Sequence, residues 1–519
     1  MSAVFTFRES PMRESPMHHY IVHYSGEMGL KGKSTRNRFI NRIMHNLSDA
    51  LKNEGIRFQL DRRWTRIRIE SDSEAVPEIA RRIFGVSSVA TARRESWSDF
   101  DDLVAKGAEA FKELVAGRTF AVRARRGEQA QRIPFKSPEL ERALGAALYP
   151  FAAGVDLKDP EVEARVDLHG QEAFFYDHTV SGEGGLPLGA EGRALTLFSG
   201  GFDSPVASWS LMRRGVRQDF LFCNLGGEKH TQEVIAVLKA LVDRWCYGYR
   251  PRLFILDFRP VVEDLKAQAP GPLWQVLLKR LMIKAADRMA FYLKASALIT
   301  GESVGQVSSQ TLQNLDVISR VSERPILRPM VSWNKEDIVA LARRIGTHDT
   351  SIKVPEYCGL QAGTGPAIHA RLEQVESSEQ TLDEAILIRA IEERAVIDLR
   401  SLDLEASRAP ELEVESVPAG AHLIDVRSAA SFERWHPEGA VRWSYPDVLR
   451  HLETFDRDQS YVVYCEVGLK SAHVAEALNR IGVRAFHLRR GVQTLRKAEL
   501  EADPALADLI SPVLRDPTT

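Results

Sequence analysis

Ser199-Gly200-Gly201-Phe202-Asp203-Ser204 joins two readable segments. Before it, Leu195-Thr196-Leu197-Phe198 is an apolar run of the buried-strand type. After it, Pro205-Val206-Ala207-Ser208-Trp209-Ser210-Leu211-Met212 has the pattern of a helix with Pro in its first turn. Strand, glycine turn and helix start form a geometry that holds phosphate. Glycines let the backbone approach an anion closely, and the free N–H groups of the helix end point at it. Asp203 is placed to cap the helix or to help hold a phosphate-bound Mg2+. No Lys follows the glycines, so the GxxxxGK[ST] loop of kinases and GTPases is excluded, and the spacing is not the GxGxxG of a dinucleotide site.

The pattern SGGxDS resembles the PP-loop of the ATP pyrophosphatase families. That resemblance implies cleavage of ATP between its α and β phosphates, with transfer of AMP to an oxygen. Short apolar runs continue the alternation beyond the loop: Phe220–Leu225, Leu253–Asp257 and Ala297–Thr300, with helical patterns between them. A doubly wound parallel sheet over residues 193–400 follows, with its ligand at the carboxyl ends of the strands. Thr300-Gly301-Glu302 and Asn224-Leu225-Gly226-Gly227 sit at such ends.

With 519 residues, the chain exceeds one core, and about 150 residues per domain gives three or four units. No stretch of about 18 apolar residues offers a membrane span, and the N-terminus has no apolar signal core. The net charge of −2 hides asymmetry: Lys31 to Arg68 holds eleven Lys or Arg against three acids, and Arg118 to Lys136 holds six against Glu128. Such clusters suit a polyanion, although a solvated basic face has the same composition. Four cysteines without a CxxC argue against a disulfide scaffold or a structural zinc site, so no metal ligands are assigned. A reducing, cytoplasmic home is expected.

Outward from the loop the chain divides as follows. Residues 1–18, which contain a tandem Arg-Glu-Ser-Pro-Met repeat, form a flexible extension. Residues 19–74 form a small α+β domain: strand Tyr20–Tyr24, a helix capped by Thr35 with Phe39, Ile43, Leu47 and Leu51 on one face, and strand Arg66–Ile69. Residues 75–180 form a second unit with strands Thr119–Arg123 and Val162–Val166 around a helix near Pro138–Leu148. The glycine-rich residues 181–192 are a linker, as are 401–420. Residues 421–519 form a last α/β unit with strands Leu423–Val426, Tyr461–Tyr464 and Ala485–Leu488.

Cys465 ends a strand and opens Cys465-Glu466-Val467-Gly468-Leu469-Lys470-Ser471, the start of a helix. Backbone N–H donors and Lys470 favour a thiolate there. Cysteine phosphatases place Arg six residues after the Cys; Ser471 stands there instead, which favours sulfur over phosphate as cargo. Cys358 lies in a Pro/Gly-bounded loop, Val354-Pro355-Glu356-Tyr357-Cys358-Gly359. Cys223, in an apolar strand, and Cys246, beside Trp245, are assigned to packing.

The Cys465 loop, with Leu423–Arg427 and His436-Pro437-Glu438-Gly439-Ala440, resembles a rhodanese domain, although Lys470 replaces the usual Arg. Gly26–Lys33 is similar to an N-terminal ferredoxin-like domain, and Phe120–Arg126 with Val155–Pro160 to THUMP, an RNA-binding module. With Gly301–Thr311 and Pro355–Gly359, the whole resembles the tRNA 4-thiouridine synthetase (tRNA sulfurtransferase) family in its long form. The fold class implied is multidomain: a ferredoxin-like domain plus THUMP, a parallel-sheet PP-loop ATP pyrophosphatase domain and a C-terminal rhodanese domain.

The resemblance places ATP contacts on Leu197, Phe198, Lys279, Gly301 and Gln310, besides Ser199, Gly200, Gly201, Asp203 and Ser204. Asp203 and Lys335 match positions needed for activity. Cys465 matches the persulfide carrier and Cys358 the cysteine that pairs with it in a disulfide. Implied partners are ATP with Mg2+, tRNA, a cysteine desulfurase as donor, a reductant, and the sulfur-carrier protein of thiamine thiazole synthesis. Candidates for RNA contact in the basic clusters are Arg36, Arg38, Arg62, Arg63, Arg66, Arg123, Arg125 and Arg126. Two rival readings are a PP-loop synthetase acting on a small metabolite and an RNA-binding module with a degenerate sulfur-carrier tail.

Overall fold

The computed structural model describes residues 4–6, 17–63, 66–127, 131, 133–355, 365–402, 412–465, 469–488 and 491–496. Among these the strands form three sheets. In the first, the helix Lys33–Asn53 buries Phe39, Ile43, Leu47 and Leu51, the i, i+4 stripe read from the sequence, against strands His18–Tyr24, Phe58–Arg62 and Arg66–Ser71. It starts at Lys33, ahead of the expected Thr35 cap.

Strand Val86–Ser96 serves two units at once. Its first part pairs antiparallel with His18–Tyr24, and its end, Arg93 to Ser96, pairs with Glu172–Tyr176 of the second unit. One ten-stranded sheet therefore runs through both units. Val76, Ile79, Ala80, Ile83, Val86 and Val89 all join the first core, so the boundary expected at 74/75 falls later. The second core gathers Leu103, Phe111, Leu140, Leu144, Phe120 and Val166.

Two segments depart from expectation. Val4–Thr6, within the extension read as flexible, forms an edge strand on Phe58–Arg62; Val-Phe-Thr is a strand-forming triplet offered an unpaired edge. Residues 181–192 are a packed strap, not a loose linker. Leu186 and Leu188 are buried, Gly85 N donates to Gly184 O at 2.7 Å, and Gly189 N donates to Gly215 O at 2.9 Å. A Cβ on Gly185 would lie 2.2 Å from Arg213 O, so glycine there reflects close approach rather than looseness.

The third unit is a six-stranded sheet in the order Ile326–Leu327, Ala297–Ile299, Arg193–Leu197, Arg217–Asn224, Arg252–Asp257, Ala395–Asp398. All pairs are parallel except the last: Ala395–Asp398 closes one edge antiparallel. From Arg193–Leu197 the chain builds first to one side and then to the other, which opens a crevice at that strand's carboxyl end. Phe84 of the first unit packs between Trp209 and Trp245, with ring centroids 5.7 Å apart in each pair, and locks the units together.

The last sheet is parallel, in the order Glu413–Val414, Arg484–Leu488, Ser460–Tyr464, His422–Asp425, Val441–Arg442. Glu413–Val414 thus belongs to this sheet, although 401–420 was expected to be a linker. Its helix Leu469–Arg480 rests on helix Gly227–Trp245 of the third unit. Glu476 Oε1 accepts from Glu228 N at 2.6 Å, and Lys229 pairs with Glu413. Among the described residues no helix is long and apolar enough to cross a membrane.

Candidate active site

The chain leaves Arg193–Leu197 through Phe198, which is buried edge-on to Phe220 at 5.5 Å, and re-enters order in helix Asp203–Met212. Gly200 takes a φ of +83°, where a side chain would be strained, and a Cβ there would lie 3.0 Å from Val234 Cγ2. Ser199 N donates to Ser204 Oγ at 3.3 Å, closing the loop on itself. Asp203 does not cap the helix, as the sequence had allowed. It is the first helical residue, and its carboxylate accepts from Lys335 Nζ at 2.8 Å and Gln306 Nε2 at 3.1 Å.

A cavity of about 1200 Å3 lies over this loop, at the switch point of the sheet. Of the residues assigned to ATP, Leu197, Phe198, Ser199, Gly201, Asp203 and Ser204 line it from the loop side, and Lys279, Gly301 and Gln310 from the other, with Lys335. Gly200 lies behind the loop, facing Val234 and Val354. Cys223 is buried in its strand but also lines this cavity, whereas Cys246 is fully enclosed and burial pushes its thiol up to about 12.

Two organising residues have roles that no local sequence cue reveals, although the sequence places Glu302 at a strand end. Glu302, 8% exposed, accepts from Lys279 Nζ at 3.0 Å, Arg328 Nε at 2.8 Å and Thr300 Oγ1 at 3.1 Å. Burial raises its carboxyl, but the Lys279 and Arg328 cations outweigh that and hold it below the ordinary range. Glu302→Gln leaves both cations without their counter-charge and is expected to cost about 3–5 kcal/mol in denaturant unfolding near neutral pH. Because the folded pKa is depressed, this contribution is present above the unfolded carboxylate value of about 4.3 and is lost as pH falls through the folded value. The gap between wild type and variant is therefore expected to narrow in acid. His230, on helix Gly227–Trp245, stacks edge-on against Phe222 at 4.6 Å and hydrogen-bonds the Ser199 backbone. Burial pushes it down to about 3, so it supports the loop as a neutral ring.

Cys465 ends Ser460–Tyr464 and is 1% exposed. Ser471 Oγ donates to its Sγ at 3.5 Å, and its carbonyl accepts from Val492 N at 2.8 Å. Tyr445 Oη and His473 Nδ1 are 2.6 Å apart in the same unit, and both feel Arg259 and Asp257 of the third unit. The cysteine's unit is thus docked on the carboxyl edge of the large sheet. Residues 466–468 and Cys358, with the disulfide assigned to it, lie outside the described residues.

The arginine candidates differ in environment. Arg38 and Arg125 are exposed. Arg62 donates to Asn37 and Asn41, Arg63 pairs with Asp61, Arg123 donates to Leu157 O at 2.6 Å, and Arg126 to Phe135 O at 2.7 Å. Arg66 is buried against Asp167 and donates to Tyr176 Oη at 3.1 Å, so it is engaged inside the sheet. Burial first, then Arg68, Arg63, Arg66 and Arg125, push His169 down to about 3, a mark of dense positive charge along this sheet face.

A loop shaped for phosphate and a carrier-type cysteine in one chain are what activated-oxygen replacement by sulfur requires. They place the chain among sulfurtransferases built on an ATP pyrophosphatase fold. Residues 189–383 match the family described as "Thiamine biosynthesis protein (ThiI)", 19–90 the "ThiI ferredoxin-like domain", 98–176 the "THUMP domain" and 411–498 the "Rhodanese-like domain". A tRNA sulfurtransferase of Pyrobaculum aerophilum is 38% identical over 470 residues, spanning 90% of this chain and 95% of its own length. One from Shewanella halifaxensis is 34% identical over 466 residues, spanning 87% and 96%. The crystal structure of a 4-thiouridine synthetase–RNA complex with bound ATP superposes with a TM-score of 0.65 at 29% identity, covering 74% of this chain and 99% of that one. The chain belongs to the ThiI tRNA sulfurtransferase family.

Proposed function

We propose that the chain uses ATP to replace the 4-oxygen of uridine 8 in tRNA with sulfur carried as a persulfide on Cys465. The observation that carries this reading is the pairing, in one chain, of the PP-loop cavity with a docked rhodanese-like unit. The solved relative holding both RNA and ATP supports it.

The uracil oxygen is a poor leaving group. Attack of that oxygen on the α-phosphate of ATP expels pyrophosphate and leaves the oxygen bound as AMP. Loop amides, Lys279 and Lys335 face the cavity where that charge develops. Mg2+ is generally held by a carboxylate or two plus substrate phosphates; Asp203 is the loop carboxylate that would meet it, where the ion neutralises phosphate charge. The terminal persulfide sulfur then attacks the ring carbon and displaces AMP, which gives a disulfide between base and Cys465. Cys358 thiolate attacks the Cys465 sulfur, releases the 4-thiouridine thiolate and leaves a Cys358–Cys465 disulfide. A dithiol reductant reopens it. In a variant route the dithiol reductant attacks the Cys465 sulfur of the persulfide and expels sulfide, which attacks the activated ring carbon and displaces AMP. The reductant's second thiol then frees Cys465 and leaves the reductant as a disulfide, so Cys358 matters less.

A cysteine desulfurase would load Cys465. Transfer of sulfur to the carrier protein of thiamine thiazole synthesis is a second role, supported by the description of the matched family. A tRNA substrate implies a cytoplasmic location. The test is thiolation of tRNA by the purified chain with ATP, desulfurase and L-cysteine, read by nucleoside mass spectrometry. Failure of the wild-type protein to form 4-thiouridine and AMP together overturns the reading.

RNA is held by shape and phosphate on basic surfaces of the first two units, with Arg38 on helix Lys33–Asn53 and Arg125 on strand Thr119–Arg126 the exposed contributors. The pair Arg38→Ala and Arg125→Ala is expected to weaken tRNA binding regardless of sequence. The slope of log affinity against log salt should fall by about one for each phosphate that no longer meets an arginine. An unchanged slope removes both residues from the interface.

A further inference from the structure

We propose that Trp333 is the stacking platform that receives the target nucleobase once it leaves the RNA stack, a step that rests on the reading of the chain as a tRNA uridine sulfurtransferase. An enzyme that works on a ring atom of a structured nucleic acid must extrude the nucleotide and replace the stacking it loses. Proteins make good that loss with an aromatic face. Five aromatic rings among the described residues border the cavity, of which His230 is 3% exposed and edge-on to Phe222. Phe198 and Phe222 are buried in the sheet core. Phe202 is covered by His348, with ring centroids 5.4 Å apart, and by Lys335 Nζ at 5.7 Å. Trp333 is the remaining one; it is 36% exposed, and among the described residues no ring or cation is stacked on its indole.

Its position suits the chemistry. Trp333 stands two places before Lys335, whose ammonium meets Asp203 at the PP-loop, so the indole is on the wall where activated phosphate is handled. The backbone is pinned on both sides: Trp333 N donates to Met330 O at 3.0 Å, and Ser303 Oγ donates to Trp333 O at 2.9 Å. Large exposed aromatics on fixed backbone lose little freedom on binding. The cavity of about 1200 Å3 exceeds the usual upper range of about 1000 Å3 for a single small-molecule site, which leaves space beside a nucleoside triphosphate.

On its other side, Trp333 also borders a cleft of about 490 Å3 with Ser332, Asp337 and Arg344. Arg344 keeps its side chain 55% exposed while its guanidinium lies over the Trp209 ring at 5.0 Å and pairs with Glu183 at 3.5 Å. A cation beside an aromatic ridge suits the ribose-phosphate that flanks an extruded base. The base would enter the large cavity over the indole, and its backbone would stay in the smaller cleft.

The full-length chain tests this with ATP, tRNA, and tRNA already carrying 4-thiouridine. Trp333→Ala is expected to lower kcat/KM for tRNA in AMP formation about ten- to hundredfold, the usual weight of one stacked base. ATP affinity and overall tRNA affinity should stay within about twofold, and Trp333→Phe should restore most of the loss. Irradiation of the thiolated tRNA on the wild-type protein should crosslink to the peptide holding Trp333. Wild-type turnover by Trp333→Ala, or a crosslink confined to other peptides, overturns the proposal. An equal loss of ATP affinity assigns the indole to adenine and also overturns it. If wild-type protein makes no 4-thiouridine, the general reading fails instead, a distinct result.

Discussion

Cys465→Ala is expected to reduce sulfur incorporation into tRNA by about a thousandfold or more, the scale on which loss of a nucleophile acts, with ATP binding unchanged. The two sites are physically separate. Cys465 packs with Val463, Val474 and Leu478 in the core of the rhodanese-like unit, whereas the PP-loop belongs to the cores that flank the large sheet. Alanine removes one buried sulfur, which costs about 1 kcal/mol of that unit's stability and leaves its helix contact through Glu476 in place. No other cysteine lies in the rhodanese-like unit to carry the sulfane sulfur, and the adjacent Ser471 Oγ, 3.5 Å from Sγ, is not a persulfide former. Nucleoside mass spectrometry and equilibrium ATP binding on the same preparation check both halves. Full thiolation by the variant removes Cys465 from the mechanism, and a parallel loss of ATP binding would mean that the two units are coupled more tightly than separate cores imply.

What the sequence disclosed, and what it hid, follows from the range of the interactions involved. The strand-loop-helix at 193–212 was legible because every cue is local: an apolar run, two glycines and a helix start. Four strands of the large sheet and three of the rhodanese-like sheet were legible for the same reason, whereas the short strands Ile326–Leu327, Ala395–Asp398, Glu413–Val414 and Val441–Arg442 were not. The edge strand Val4–Thr6 was not, since its partner Phe58–Arg62 lies some fifty residues away and composition alone marks the extension as loose. Glycine content misled at 181–192. There glycine serves close packing, with Gly185 against Arg213 O, while Leu186 and Leu188 anchor the strap. Glu302 could be placed at a strand end, but not as the counter-charge that holds Lys279 and Arg328, because those side chains arrive from separate elements. His230 is one polar residue on a helix until the fold sets it beneath Ser199. Arg66 counts as surface charge in a tally, but the fold buries it on Asp167.

Gly301→Ala is expected to cut tRNA-dependent AMP formation about a hundredfold, although the substitution adds one methyl group. Gly301 follows strand Ala297–Ile299 and Thr300 and meets the first turn of the PP-loop helix. A Cβ there would lie 2.8 Å from the Asp203 carbonyl carbon and 2.9 Å from Ser204 N. Both are backbone atoms of a helix start, so no rotamer change relieves the contact; the loop must move. Overpacking of this kind costs about 1–3 kcal/mol in stability. Displacing by about 1 Å the loop amides and Asp203, which the proposed reaction sets against the α-phosphate, costs about a hundredfold in rate. Gly201→Ala supplies the contrast. Its Cβ would meet only Ser199 Oγ, at 4.0 Å, yet Gly201 lines the cavity. It should therefore unfold like wild type while losing ATP affinity, because the methyl group occupies space that phosphate needs. Thermal unfolding without nucleotide, set beside ATP binding, separates strain from obstruction. If Gly301→Ala melts and turns over like wild type, contact between strand end and helix start is not what holds the loop in its working shape.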